Sequence, residues 1–145
     1  MAKIKVLIVD DSITMRAVLE QIISRDPECE VVGIAAGVPG ARVLMAEKHP
    51  DVITLDLEMP GISGLQFLNE LSGRRHAPVL VVCSTTKDKS EEAKEAIAHG
   101  AVACFDKTKI VSNTPRFLRV LKEVARPEVP SIWEQLFKDE RRRKR

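Results

Sequence analysis

Two tight carboxylate clusters, Asp10-Asp11 and Asp56 with Glu58, each follow directly on a run of branched apolar residues. Acids at the ends of buried strands are costly unless something positive sits among them. Two unit charges ~4 Å apart at an effective dielectric near 20 repel by about 4 kcal/mol, so three clustered acids favour a bound cation. Magnesium suits such a place, because it takes oxygen ligands octahedrally and needs only one or two carboxylates beside water and substrate phosphate. Asp10, Asp11 and Asp56 supply those oxygens, and one carboxylate is left free to act as a nucleophile. Ser84 and Lys107 end two further apolar runs. A nucleophilic carboxylate, a metal, a hydroxyl and an ammonium together can accept a phosphoryl group and spread charge over its three equatorial oxygens. Taken singly, an Asp-Asp pair is a turn or N-cap, Lys107 a surface lysine and Ser84 a loop residue. Their joint placement at four strand ends argues for the chemistry.

The elements that must position these groups alternate along the chain. Strands are expected over residues 5–9, 30–35, 52–55, 78–83 and 101–105. The helix after Ser12 carries Met15, Val18, Leu19, Ile22 and Ile23 at helical spacing until Asp26-Pro27 ends it. Further helices are expected over residues 39–47, from Leu65 to Leu71, over residues 90–99 closed by Gly100, and over residues 115–124. Residues 78–83 are nearly all apolar, the mark of a central strand buried on both faces. Five strands alternating with five helices predict a doubly wound parallel sheet, whose ligands collect outside the carboxyl ends of its strands.

Composition limits the alternatives. Aromatics are only 3% of the chain, so the core must be built from Val, Ile, Leu and Ala. The longest apolar runs fall far short of the roughly 18 residues of a membrane span. The first strand begins at once, leaving no signal peptide, and a cytoplasmic location is the default. Cys29, Cys83 and Cys104 lack metal-ligand spacing. The net charge of +2 hides an asymmetry, since residues 138–145 carry six bases and two acids. Pro127 and Pro130 divide the body, residues 1–126, from an extension, residues 127–145. In that extension Ser131-Ile132-Trp133-Glu134 has capping-box form. Ile132, Leu136 and Phe137 share one face of a short helix that either docks a partner or packs back on the body.

The segments Val6-Leu7-Ile8-Val9-Asp10-Asp11-Ser12, Leu55-Asp56-Leu57-Glu58-Met59-Pro60-Gly61 with Gly64, and Ala77-Pro78-Val79 through Ser84 resemble the response-regulator receiver domain of two-component signalling. The resemblance covers about residues 3–126. It implies a CheY-like, flavodoxin-like sheet of strand order 2-1-3-4-5, and no enzymatic activity beyond phosphoryl transfer to and from the protein itself. It implies that Asp56 is the phosphoacceptor and that a histidine kinase is the donor. Magnesium would be held by Asp10, Asp11, Asp56 and the Glu58 backbone carbonyl. Ser84 would bond the phosphoryl group, Lys107 would pair with it, and the surface of residues 88–126 would change its partner, a chemotaxis or flagellar motor switch protein. Asp10-Asp11-Ser12-x-x-Met15-Arg16, Asp26-Pro27-x-x-Glu30-Val31-Val32-Gly33 and Leu57-Glu58-Met59-Pro60 look closest to the receiver of the chemotaxis methylesterase CheB.

Three positions depart from the family pattern. The usual aromatic switch position holds Cys104, with Phe105 next to it. Thr108 stands where a cis proline normally follows the lysine, and a cis non-proline bond costs roughly 2.5–4 kcal/mol. Ile62-Ser63 replaces a common Met-Asp. The terminal Arg141-Arg142-Arg143-Lys144-Arg145 reads as a solvated terminus or as a grip on an acidic partner, on RNA or membrane phosphates, or on a nucleotide. The tail is similar to that of the Cle regulators, which implies cyclic di-GMP as ligand of Arg141, Arg142, Arg143 and Arg145. The rival readings are the receiver portion of a CheB-type methylesterase, a pseudo-receiver acting mainly through its tail, and a magnesium phosphatase with an aspartyl nucleophile. The last would want Asp-x-Asp where this chain has Asp56-Leu57-Glu58.

Overall fold

The structure, a computed structural model, describes residues 2–83 and 89–126. Strands β1 (Ile4–Val9), β2 (Cys29–Ala35), β3 (Val52–Asp56), β4 (Val79–Cys83) and β5 (Ala103–Asp106) form one parallel sheet in the order β2-β1-β3-β4-β5. The helices between and after them are α1 (Ile13–Ser24), α2 (Val38–Lys48), α3 (Gly64–Leu71), α4 (Lys89–Ala98) and α5 (Thr114–Ala125). The expected fold class and strand order are therefore both present. No helix among the described residues is long and apolar enough to cross a membrane.

Alternation along the strands divides the core in two. Leu7, Val9, Ile53, Leu55, Val79 and Val81 face one layer with Phe67, Leu68 and Leu71 of α3. Ile4, Val6, Ile8, Val52, Leu80 and Val82 face the other, where Leu19 and Ile23 of α1 meet Phe117 and Leu121 of α5. All five residues of β4 are buried, as a strand covered on both sides requires. Pairing of Val9 with Leu55 brings the ends of β1 and β3 side by side. The chain order reverses between these two strands, which is where a doubly wound sheet opens its ligand crevice.

Local signals set most of the boundaries. The Ser12 hydroxyl accepts from the Met15 amide and starts α1, and Ser63 with Gln66 forms a complete capping box at α3. Gly100 adopts φ +106° just past α4. The Gly100 and Ala101 amides donate to the carbonyls of Ile97 and Ala96, which closes the helix in a Schellman motif. That motif takes up Ala101, so β5 begins two residues later than the apolar pattern suggests.

Candidate functional site

The end of β1 delivers Asp10 into the crevice almost fully buried, at 1% exposure. Its position is fixed by its neighbours. The Ser12 amide donates to Asp10 Oδ1 at 2.8 Å, the Asp10 amide donates to the Ala35 carbonyl, and the Arg16 guanidinium donates to the Asp10 carbonyl at 2.7 Å. Asp56, the last residue of β3, is also buried, and the Glu58 amide donates to its Oδ1 at 3.1 Å. Asp11 is exposed at the mouth. One oxygen from each of Asp10, Asp11 and Asp56 falls within 4.8 Å of the others.

The loop after β3 is held against the strand by backbone contact. The Gly64 amide donates to the Leu57 carbonyl at 3.0 Å. A Cβ on Gly64 would stand 2.7 Å from Leu57 Cα and would strike the Asp56 carbonyl oxygen. Only glycine allows α3 to begin this close to the end of β3.

Lys107 reaches into the cluster from the end of β5. Its ammonium lies 2.9 Å from Asp10 Oδ2 and 3.4 Å from Asp56 Oδ2. It departs from β5 in a short 3-10 turn, Lys107–Lys109, capped by Asp106. The Thr108 amide and hydroxyl both donate to Asp106 Oδ1, at 3.0 and 2.7 Å. No cis peptide bond occurs among the described residues. Here Asp106 and Thr108 thus shape the turn in which the family pattern has proline.

Electrostatics follow from this packing. Burial, and next the nearby Asp10 charge, push the Asp56 carboxyl up to about 7 against the opposing pull of Lys107 and the Glu58 amide. For Lys107, burial works against the charged form, but Asp10 and Asp56 outweigh it and raise its pKa. One lysine is therefore shared between two buried carboxylates. Among the described residues, buried Asp10 Oδ2 is met by the Lys107 ammonium and by no other donor. A buried carboxylate oxygen left this way, with Asp11 and Asp56 around it, fits a hard divalent cation.

Of the groups read from the sequence, Asp10, Asp11, Asp56 and Lys107 come together. Ser84 lies outside the described residues, as do Arg141, Arg142, Arg143 and Arg145. Glu58 enters through its amide. Cys104 and Phe105 diverge, because successive strand residues point to opposite faces. Phe105 is buried edge-on against Phe117, with ring centroids 5.3 Å apart, in the layer beneath α1 and α5. Cys104 is half-buried towards α4, its thiol 3.8 Å from the Ala93 carbonyl and within reach of Cys83, which raises the Cys83 pKa. Sequence reasoning missed the brace from Arg16 to Asp10 and the Arg42–Glu70 ion pair joining α2 to α3. Arg16 stands in the Asp10-Asp11-Ser12-x-x-Met15-Arg16 motif, but its bond to Asp10, like the Arg42–Glu70 pair, depends on how two elements pack.

Comparison with known proteins agrees with this geometry. A family model described as response regulator receiver domain matches residues 6–114. A protein-glutamate methylesterase/protein-glutamine glutaminase of Caulobacter vibrioides is 42% identical over 118 residues, covering 81% of this chain and 34% of the relative. Its counterpart in Thiobacillus denitrificans is 47% identical over 108 residues, covering 74% of this chain and 30% of the relative. This chain thus spans about a third of the length of these curated relatives. The response regulator domain of Thermotoga maritima CheB superposes with a TM-score of 0.77 at 33% identity, covering 85% of this chain and 96% of that one. Vibrio cholerae chemotaxis protein CheY4 gives 0.71 at 29% identity, covering 85% and 99%.

Proposed function

The chain belongs to the response regulator receiver domain family, and we propose that it works as a phosphorylation-controlled binding module with Asp56 as the acceptor. The observation that carries this reading is the buried Asp56 carboxylate beside Asp10 and Asp11, one oxygen of each within 4.8 Å of the others, with the Lys107 ammonium reaching both Asp10 and Asp56. An Asp56 oxygen attacks the phosphorus of a kinase phosphohistidine protonated on its other ring nitrogen, the P–N bond breaks with its electron pair going to nitrogen, and neutral imidazole leaves. Asp10, Asp11, Asp56 and the Glu58 carbonyl would hold magnesium, which would supply neutralisation of the charge on the transferring phosphoryl group. Lys107, already beside both carboxylates, balances the added charge from the β5 side. Ser84 hydrogen-bonds the phosphoryl group once it is in place. The resulting change is a population shift that alters the surface of residues 88–126 towards a chemotaxis or flagellar motor partner in the cytoplasm. The test is treatment with a small phosphodonor and magnesium, read by intact mass. Wild type should gain one phosphate and Asp56→Ala none; equal labelling of the variant would sink the assignment.

A second reading is favoured by the named activity of the relatives. The chain would then be the regulatory portion of a methylesterase, with phosphorylation of Asp56 governing a catalytic domain. An immunoblot of the natural polypeptide separates the two, since a 145-residue product and one more than twice as long migrate far apart. Cyclic di-GMP binding by Arg141, Arg142, Arg143 and Arg145 rests on the composition of the tail alone. Isothermal titration of the full chain against a 137-residue truncation tests it.

A further inference from the structure

Between α1 and α5, on the layer opposite α3 and α4, runs a groove of about 470 Å³ whose apolar lining includes Val18, Ile22, Pro27, Val111 and Leu118. Val111 is 68% exposed there. The groove's lower end lies beside the point where the chain leaves α5. Asp26 lines it and accepts the Lys122 ammonium at 2.9 Å, one helical turn before Arg126. The Arg126 guanidinium in turn donates to the Ala2 carbonyl at 2.9 Å, so the exit point is tied to the body.

We propose that residues 131–137 of the same chain occupy this groove, with Ile132, Trp133, Leu136 and Phe137 laid against Val18, Ile22, Val111 and Leu118. Three observations select this occupant. Ile132 lies six positions past Arg126, and extended chain of that length reaches about 20 Å, ample for the groove's near end. The segment holds four large apolar side chains within six positions, in a protein whose aromatics amount to only 3%. Left in water, that cluster would be the exception in an otherwise polar extension. Charge also matches. Residues 127–140 carry Glu128, Glu134, Asp139 and Glu140 against the single base Lys138, while exposed Arg25 lines the groove and Asp26 there is already paired with Lys122. Tethering makes the contact intramolecular, so modest apolar burial suffices. A second protein using the α1–α5 face would have to displace the extension, which becomes a built-in competitor for that surface.

Trp133 is the only tryptophan, so fluorescence of the full chain reports on this contact alone. In the groove, its emission should lie blue of N-acetyltryptophanamide and its acrylamide quenching should be severalfold weaker, independent of protein concentration. Val111→Glu and Leu118→Glu should each restore most of the quenching. Val43→Glu, at an exposed site on α2, should change nothing. Circular dichroism confirms that each variant is folded, and the exposure of Val111 makes its replacement safe even where Leu118→Glu unfolds the body. Quenching equal to free tryptophan overturns the proposal. So does protection unchanged by Val111→Glu, which places Trp133 elsewhere, or protection lost on dilution, which makes the occupant a second copy.

Discussion

Gly64 leaves no room for a side chain beside Asp56: a Cβ there would strike the Asp56 carbonyl oxygen and stand 3.1 Å from its carbonyl carbon. The start of α3 and the Asp56 end of β3 are thus in backbone contact, and movement of the loop between them is felt at Asp56.

Gly64→Ala should therefore disturb the site through its backbone. The obstructing atoms are main chain rather than a yielding side-chain tip. The expected loss of stability is roughly 1–3 kcal/mol, the usual range for forcing an extra methyl into packed structure. Urea denaturation measures it, and phosphodonor labelling of Asp56 should slow in the same variant. Wild-type stability with wild-type labelling would mean that the β3–α3 loop relaxes more freely than this contact allows.

Lys107→Ala tests the shared ammonium. Its removal leaves Asp10 and Asp56 facing each other, both buried, with no positive charge between them. Stability in EDTA should fall. Magnesium should bind severalfold more tightly, because the cation no longer competes with an ammonium for the same oxygens. Calorimetric titration with magnesium chloride checks this, and weaker binding would place the metal's oxygens away from the lysine.

Asp56 also makes the metal-free protein sensitive to pH. Its carboxyl is raised from the ordinary range to about 7 by burial and by Asp10, so the folded protein binds this proton more tightly than the unfolded chain. Stability is then full below the unfolded value and falls as pH rises towards 7. Asp56→Asn should stabilise the protein in EDTA at about pH 8 by roughly 2–4 kcal/mol, since each tenfold change in proton affinity is worth about 1.4 kcal/mol. Near pH 4 the difference should vanish. Paired urea melts at the two pH values decide it.

The sequence made the fold legible wherever hydrophobic period and punctuation agreed. The run ending in Asp10 and the Ser12 cap after it appear as β1 and α1 almost to the residue. Asp56 and Lys107 were also visible, because a charged residue ending an apolar run stands out. The start of β5 was not, since Ala101 reads as strand by its apolarity while its amide is committed to Ala96. The turn at Lys107 escaped for a related reason: Asp106 and Thr108 build it with side-chain oxygens, and only their two-residue spacing hints at it. The divergence of Cys104 and Phe105 needs the pleat, and the brace from Arg16 to Asp10 needs the docking of α1. Such features belong to packing between elements, on which local pattern is silent.

The contact that fixes α5 against the α1–β2 turn has its own pH signature. Lys122 bonds Asp26 and Glu28, each at 2.9 Å, with Asp26 nearly buried. Burial pushes the Asp26 carboxyl up, but the Glu28 amide and the Lys122 ammonium together outweigh it and hold Asp26 below its ordinary value. A carboxylate lowered in the folded state adds stability above its unfolded pKa, and that stability is lost as pH falls through the folded one. The same contacts raise Lys122, so its share is present at neutral pH and fades only in strong alkali. Lys122→Met should thus cost roughly 1–3 kcal/mol at neutral pH, the range for a hydrogen bond to a charged group, and much less once the pH has fallen through the lowered Asp26 pKa, where Asp26 is protonated in either protein. Thermal melts of both proteins across the acid range measure the gap. A penalty that stays constant down to the lowest pH would assign the role of Lys122 to the packing of its alkyl chain instead of its charge.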